Sequence, residues 1–246
     1  MTEITIRAQR GDIKALRLGN PNGMPVLALH GWLDNAASFI PMAPFLAEHN
    51  IIAMDSMGHG ASAHIPSGYD YSFGGALATA LAAGAPDRVL SLALIESLGP
   101  PPWNGDLAAE RLQKAVAGRR KPLSAPRLIP DIETAVRARL QATEKLESSA
   151  RLLVERNLIA VEGGYQWRSD PRLMWPSHSR ADEATVQGWV AAIECPTLVI
   201  AADPPPVYFS TQLLNDRFAH LKNGTKHTIP GTHHVHMDKP EEVAGF

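Results

Sequence analysis

Short apolar runs and segments of helical periodicity alternate along the first hundred residues. Three of the runs are continuous and predict strands buried on both faces of a sheet, at residues 25–29, 51–54 and 89–95. Two earlier stretches alternate apolar and polar positions and predict outer strands, at residues 2–8 and 13–18. Helical spacing predicts helices at 36–48 and 74–83. Since strands that alternate with helices form parallel sheets, the pattern predicts an α/β fold with a mostly parallel central sheet flanked by helices.

The stretch from 101 to 190 changes character and becomes richer in Arg, Glu and Gln. Its periodicity predicts four amphipathic helices, at 107–117, 132–143, 146–157 and 181–192. A hairpin is predicted at 159–167. The earlier pattern then resumes, with strands at 197–201 and 226–229 and a helix at 210–218. We therefore predict a core formed by residues 1–100 and 191–246 and a helical cap formed by residues 101–190.

The composition narrows the classes of function. The 246 residues are 45% hydrophobic and 20% charged, with a formal net charge of -2, so no basic face for nucleic acid is indicated. No run of about 18 apolar residues predicts a membrane span, and the first residues lack the apolar core of a signal peptide. The lone cysteine, Cys195, lies in an apolar stretch and is expected to be buried. We expect a cytoplasmic protein.

The first candidate for chemistry is the turn His30-Gly31-Trp32, which directly follows a predicted buried strand. Ligands bind at the carboxyl ends of strands in parallel sheets. Gly31 allows close approach of the backbone to a substrate, and the N–H of Trp32 could donate to a developing oxyanion. An ordinary strand-to-helix turn without a functional role could have the same sequence.

A second motif follows the next strand and makes the pattern more specific. Residues 55–62 read Asp-Ser-Met-Gly-His-Gly-Ala-Ser. Together with His-Gly-Trp some two dozen residues earlier, this segment resembles the α/β-hydrolase superfamily, and the whole chain is similar to its capped serine-hydrolase-like branch. The resemblance implies a structural role for this motif and for His59.

The third motif is a histidine-rich loop after the last predicted strand, at residues 230–240. It resembles the family segment that holds the catalytic histidine, and position-by-position matching implies that this residue is His233 and that His236 is structural. A loop on a rigid sheet suits a general base. A metal site formed by His233, His234 and His236 is the rival interpretation, but no other group with ligand spacing supports it.

Two acidic residues could orient His233. Asp203 closes the apolar run 198–202, where most members of the family carry their acid, although three prolines follow it here. Glu96 closes the run at 94–95, and some relatives, including haloalkane dehalogenases, place the acid there. Either carboxylate could stabilise the imidazolium, and either could simply cap a turn. The resemblance favours Asp203.

The family's nucleophile elbow, Gly-x-Ser-x-Gly, occurs nowhere in this sequence. The helix that should follow the elbow is present at 74–83, so the family pattern implies that about 25 to 35 residues are missing at Phe73–Gly74. They would include a central strand between the His30 and Glu96 strands. Ser72 and Asp70 are substitute candidates, but neither follows a buried strand. The sequence also ends at Phe246, early in a predicted helix, and we expect the natural protein to be longer.

The resemblance implies a serine hydrolase acting on a small ester or other small-molecule acyl substrate through a Ser-His-Asp/Glu triad. We predict no cofactor and no metal. If the nucleophile segment is truly deleted, the alternative is a non-catalytic binding protein with a hydrolase fold. The pattern makes no prediction of oligomeric state.

Overall fold

Strands and helices alternate in the computed structural model, which describes residues 1–66, 71–72, 74–102, 105–123, 125–143, 145–177 and 180–246. The strands are β1 Thr2–Ala8, β2 Gly11–Gly19, β3 Pro25–Leu29, β4 Asn50–Met54, β5 Leu92–Ile95, β6 Leu158–Val161, β7 Gly164–Trp167, β8 Thr197–Asp203 and β9 Gly224–Pro230. The α-helices are α1 Gly74–Gly84, α2 Ala108–Arg120, α3 Ile132–Ala142, α4 Glu147–Asn157, α5 Glu183–Ala191, α6 Thr211–Phe218, α7 Val235–Asp238 and α8 Pro240–Ala244.

The chain divides into two units. The first comprises residues 1–74, 124–173 and 234–246, and the second comprises residues 75–123 and 174–233. The first unit therefore holds α3, α4 and the hairpin β6–β7, and the second holds α2 and α5. That residues 101–190 act together as a cap stays a prediction.

The first unit is built on a four-stranded sheet of order β1-β2-β4-β3. Antiparallel pairs join β1 to β2 and β2 to β4, whereas β3 and β4 are parallel. Its core contains Leu16, Leu18, Ile51 and Ala53. A second cluster packs α3, α4 and the β6–β7 hairpin together through Val136, Val154 and neighbouring apolar side chains.

The second unit is built on a parallel sheet of order β5-β8-β9. The middle strand β8 has the most continuous burial, as its run of Val, Ile and Ala predicts. Its core joins the sheet to α5 and α6 through Leu94, Val190, Val199 and Leu214. Each strand ends at the same edge of this sheet, which brings the residues after β5 and β9 together.

Two strands that were expected in the middle of a sheet, β3 and β5, are edge strands among the described residues. Within the described ranges, β3 pairs only with β4, and β5 pairs only with β8. The expectation that residues 25–29 are buried on both faces is therefore wrong for this chain, since Leu27 is 51% exposed. A strand without a second neighbour leaves both its edge and part of its faces uncovered.

Two element predictions need correction. The helix expected at 36–48 is instead two short 3-10 helices, Ala36–Phe39 and Ala43–Leu46. Pro41 and Pro44 explain the break, because proline cannot donate to the helical hydrogen-bond ladder and its ring clashes with the preceding turn. The loop expected after β9 contains one helical turn, α7. No described helix is both long and apolar enough to cross a bilayer.

Candidate functional site

The structure brings His233 and Glu96 together within the second unit. His233 Nδ1 lies 3.3 Å from the Oε2 atom of Glu96. His233 follows β9 and Glu96 follows β5, so the contact arises because both strands end at the same edge of the sheet. The carboxylate favours the imidazole tautomer with its proton on Nδ1 and leaves Nε2 as an acceptor.

Glu96 is held rigidly from two sides. Its carboxylate is buried, and the Oε1 atom accepts a hydrogen bond from the Ala202 N–H in β8. Its own N–H donates to the carbonyl of Ile200 at 2.8 Å. The backbone φ of Glu96 is 55°, in the left-handed region that residues with a side chain rarely adopt. Such a conformation persists only where its surroundings determine it, and it is concentrated at functional sites.

Tyr208 is a third member of this group, and the sequence analysis missed it. Its hydroxyl lies 2.9 Å from His233 Nε2 and can donate to it, and the two rings meet edge to face with centroids 5.7 Å apart. Tyr208 follows the three prolines after Asp203. The three prolines depart from the family pattern, but nothing in the sequence points to the tyrosine that follows them.

Asp203 reaches the same loop through its backbone. The residue is exposed at the end of β8, and its carbonyl accepts a hydrogen bond from the Gly231 N–H at 3.0 Å. Of the two acids that the sequence offered, Glu96 is the one whose carboxylate contacts the His233 ring.

The turn His30-Gly31-Trp32 lies in the first unit, at the end of β3. The ring of His30 is buried; its Nδ1 donates to the Gly31 carbonyl at 2.7 Å, and its Nε2 accepts from the Ser56 N–H at 2.9 Å. Burial lowers the pKa of His30, so its ring is neutral and serves as a fixed brace between β3 and β4. In the described part of the chain, the Trp32 N–H has no acceptor.

The second motif forms a buried support beneath this turn. Asp55 is fully buried and accepts hydrogen bonds from the N–H groups of Ala36 and Ala61 and from Arg156. The ring of His59 is also buried, with its centroid 5.0 Å from that of His30. Burial lowers the pKa of His59 to about 4. The His59 ring is therefore neutral at neutral pH.

The substitute candidates for the nucleophile are Ser72 and Asp70. Ser72 is exposed, and Asp70 lies outside the described residues. The Phe73–Gly74 junction is described only from Gly74 onward. There the Gly74 N–H donates to the His30 carbonyl at 2.9 Å, so the first residue of α1 lies against the end of β3.

A buried charged group in the first unit was also missed by the sequence analysis. The Lys145 ammonium lies 2.9 Å from His234 Nε2, which is 3.4 Å from the Asp34 carboxylate, and Arg139 also binds Asp34. Burial lowers the pKa of Lys145 to about 8. Burial alone would raise the pKa of Asp34, but the hydrogen bond from His234 and the neighbouring cations hold it far below its usual value.

A metal-binding arrangement is not formed by these side chains. No group of three or more His, Cys, Asp or Glu side chains within the described ranges could hold a metal ion. His234 and His236 stack with centroids 6.1 Å apart, and His234 is engaged with Lys145 and Asp34.

Comparison with known proteins identifies related chains along most of the sequence. The profile of the alpha/beta hydrolase family matches residues 71–246. A serine hydrolase-like protein of Dictyostelium discoideum is 31% identical over 96% of this chain and 77% of its own length. A probable serine hydrolase of Drosophila melanogaster is 28% identical over 98% of this chain and 85% of its own length. A crystal structure of a hypothetical protein from Pseudomonas aeruginosa PAO1 has a TM-score of 0.88 and 33% identity, covering 100% of this chain and 96% of that chain.

The relatives contain residues that this chain lacks. The alignment with the Dictyostelium protein is 280 positions long, whereas 96% of 246 residues is about 236, which leaves about 44 positions without a counterpart. The Drosophila alignment has 282 positions against about 241 residues, which leaves about 41.

The fold class predicted from the sequence is confirmed by these comparisons. A thioesterase domain from the curacin biosynthetic pathway, 21% identical with a TM-score of 0.83, has the same fold. The names of the relatives and the family match together support a hydrolase. This chain belongs to the alpha/beta hydrolase family.

Proposed function

We propose that the natural protein is a serine hydrolase that cleaves a small ester, thioester or related acyl substrate. His233 is the general base and Glu96 the acid that orients it. The observation that carries the proposal is the 3.3 Å contact between His233 Nδ1 and the buried carboxylate of Glu96. A histidine held in one tautomer by a buried carboxylate is the arrangement that nucleophilic acyl transfer requires.

The proposed reaction follows from the different roles of the two ring nitrogens of His233. A serine hydroxyl displaces the Tyr208 hydroxyl from His233 Nε2, attacks the acyl carbon and passes its proton to that nitrogen, while Glu96 stabilises the imidazolium through Nδ1. The imidazolium then protonates the leaving alcohol or thiol, and water releases the acyl group by the same steps. The sequence predicts the Trp32 N–H as the oxyanion donor, and that role stays a prediction.

The serine itself belongs, in this proposal, to a segment missing at Phe73–Gly74. Three observations support the omission: the sequence has no Gly-x-Ser-x-Gly string, the relatives have about 41 to 44 additional positions, and β3 has no second neighbour within the described ranges. The predicted cap would cover the site and limit the size of the substrate.

A second candidate is a non-catalytic binding protein, and the same absent elbow favours it if the 246-residue chain is the natural protein. The two candidates differ in whether the protein contains a reactive serine. Fold alone does not decide between them, because one scaffold supports many functions.

The test measures the intact mass of the protein isolated from its natural source, before and after reaction with a fluorophosphonate probe. The proposed enzyme is heavier than 26.6 kDa and gains one adduct. In the recombinant natural protein, His233→Ala abolishes the adduct, and Glu96→Gln slows its formation by roughly 10³-fold or more.

Asp203→Asn and His220→Ala serve as matched controls. Both substitute exposed residues of the same types, and labelling should continue at the unchanged rate. Loss of labelling in Asp203→Asn but not in Glu96→Gln would reverse the assignment of the acid. A mass of 26.6 kDa without an adduct would establish the non-catalytic candidate instead.

A further inference from the structure

The backbone turn that carries Trp32 contains a residue in an unfavourable conformation. The turn comprises residues 31–34 and is closed by the Asp34 N–H, which donates to the Gly31 carbonyl at 3.2 Å. Leu33, its third residue, has a φ of 60°, in the left-handed region that favours glycine. A leucine in this conformation persists only where the surrounding contacts hold it. The turn therefore needs an anchor outside its own four residues.

The side chain of Asp34 provides such an anchor. Its carboxylate is buried, and Arg139 in helix α3 binds its Oδ1 atom. The Oδ2 atom lies 3.4 Å from His234 Nε2 and packs back against the turn, 3.3 Å from the position that a Cβ atom on Gly31 would take. One carboxylate thus contacts the backbone of the turn on one side and a cation of α3 on the other.

The next residue attaches the same segment to a second helix. Asn35 is fully buried, and its side-chain amide donates to the carbonyl of Leu153 in α4 at 2.8 Å. Its side-chain oxygen accepts a hydrogen bond from the Ala37 N–H at 3.0 Å. Helices α3 and α4 pack together in the first unit, and both lie within residues 101–190, the predicted cap. Two adjacent side chains therefore attach the Trp32 turn to these two helices.

The ion pair between Asp34 and Arg139 is the contact of this anchor that one substitution can remove. A buried carboxylate is stable only where cations and hydrogen-bond donors compensate its charge. Without the guanidinium, part of that charge would be left uncompensated in a buried position. The carboxylate would then move towards water, and the backbone of the turn would move with it.

We propose that Asp34 and Arg139 are positioning residues for the oxyanion donor of the reaction. The inference rests on the proposed function, in which the Trp32 N–H is predicted to bind the oxyanion. By fixing the turn, the ion pair sets the position of this N–H before the substrate arrives. A donor that is held in advance stabilises the transition state without a cost of reorganisation. Helix α3 would therefore contribute to the chemical step as well as to the predicted cap.

The first experiment measures amide hydrogen exchange by mass spectrometry in the recombinant natural protein, and it does not depend on catalysis. In Arg139→Met, the peptide that covers residues 30–38 should exchange at least about tenfold faster, because the turn opens when its anchor is lost. The peptide that covers β2 should be unchanged, which separates local opening from a loss of global stability. Asp34→Asn retains the shape of the side chain without its charge and should have the same effect.

The matched control is Arg137→Met. Arg137 lies in the same helix, is exposed, and donates to the Thr134 hydroxyl at 2.9 Å. Its substitution removes the same charge from α3 without touching the turn. Exchange in residues 30–38 should therefore stay at the rate of the parent.

The second experiment measures the hydrolysis of a p-nitrophenyl ester by the same variants. Arg139→Met should lower kcat by roughly 10- to 100-fold and leave KM within about twofold, because a displaced oxyanion donor weakens the transition state alone. Arg139→Lys should restore most of the lost rate, since the contact with Oδ1 needs one charged donor. Arg137→Met should have the kinetics of the parent.

The two experiments separate the two ideas. Unchanged exchange of residues 30–38 in Arg139→Met, equal acceleration in the β2 peptide, or an effect on KM alone would overturn the positioning role. A parent protein that neither hydrolyses the ester nor reacts with the fluorophosphonate probe would refute the proposed serine hydrolase, and with it the catalytic part of this inference, whatever the exchange rates.

Discussion

Replacement of the buried Arg217 by methionine tests what holds the segment after Glu96 in place. Arg217 is fully buried in the second unit. Its guanidinium binds both oxygens of Glu183, at 2.9 and 2.6 Å, and donates to the carbonyls of Leu98 and Pro100, at 2.7 and 2.8 Å. Leu98 and Pro100 come two and four residues after Glu96, so the guanidinium fixes the chain beyond the proposed catalytic acid.

The expected loss in the free energy of unfolding follows from the polar groups that lose their hydrogen-bond donor in Arg217→Met. The methionine retains the apolar stem but leaves two carbonyls and a carboxylate without a donor. Glu183 is partly exposed and can be rehydrated, whereas the Leu98 carbonyl belongs to a fully buried residue. Each unsatisfied buried group costs about 1–3 kcal/mol, so the free energy of unfolding should fall by about 4 kcal/mol. For a chain of this size the melting temperature should fall by roughly 10 °C.

The assay is urea unfolding followed by tryptophan fluorescence, with Arg88→Met as the control. Arg88 is exposed and lies 4.0 Å from Asp87, so its loss should change the free energy of unfolding by less than about 0.5 kcal/mol. Glu183→Gln retains an acceptor and should cost less than half as much as Arg217→Met. A cost below about 1 kcal/mol for Arg217→Met, or an equal cost for Glu183→Gln, would refute the account based on the buried carbonyls.

Two further predictions concern the first unit. The pKa of Lys145 is about 8 in the folded protein against 10.5 when unfolded, so between these values the unfolded chain binds more protons and stability rises with pH. In the parent chain, the free energy of unfolding measured with urea should rise by about 2 kcal/mol between these pH values, and Lys145→Met should remove most of this rise. The exposed Lys114→Met is the control and should leave the rise unchanged. An unchanged rise in Lys145→Met would contradict the lowered pKa of Lys145. Gly60 has a φ of 50°, and a methyl group there would meet the Asp55 carboxylate. Gly60→Ala should therefore lower the free energy of unfolding by about 2–4 kcal/mol. Gly84→Ala is the control and should be neutral, because no atom lies near the position of the added methyl group. Equal effects of the two substitutions would show that the contact with Asp55 is unimportant.

The strands and the motif positions were predictable because apolar runs and glycine turns are local signals. The strand runs and the hairpin appear close to where the periodicity indicated them, whereas the catalytic role of His233 is implied by the family resemblance of its loop and stays a prediction. The helix predicted at 36–48 is wrong because two prolines interrupt it, although the apolar spacing continues through the segment. A breaker residue changes the backbone even where the side-chain pattern continues.

The partners of His233 were harder to predict because they come from distant parts of the chain. Glu96 is 137 residues away in sequence, and its contact depends on the sheet order β5-β8-β9, which no local pattern specifies. The sequence offered Glu96 and Asp203, each at the end of a strand, and the family resemblance favoured Asp203. Only the direction of their side chains distinguishes them, and that direction is a property of the folded sheet.

Among the described residues, β3 and β5 each have one edge without a partner strand, which is a physical difficulty that the natural protein must resolve. Both strands are apolar and carry no charged residue, so an unpaired edge is a template for pairing with another chain. A longer natural protein could cover each edge with its own residues, and Leu27 would then become buried. If the natural protein is this 26.6 kDa chain, the edges stay exposed and the protein should aggregate as its concentration rises. In the proposed serine hydrolase, catalysis and solubility would therefore depend on the same additional segment, because the residues that would supply the serine would also supply the strand.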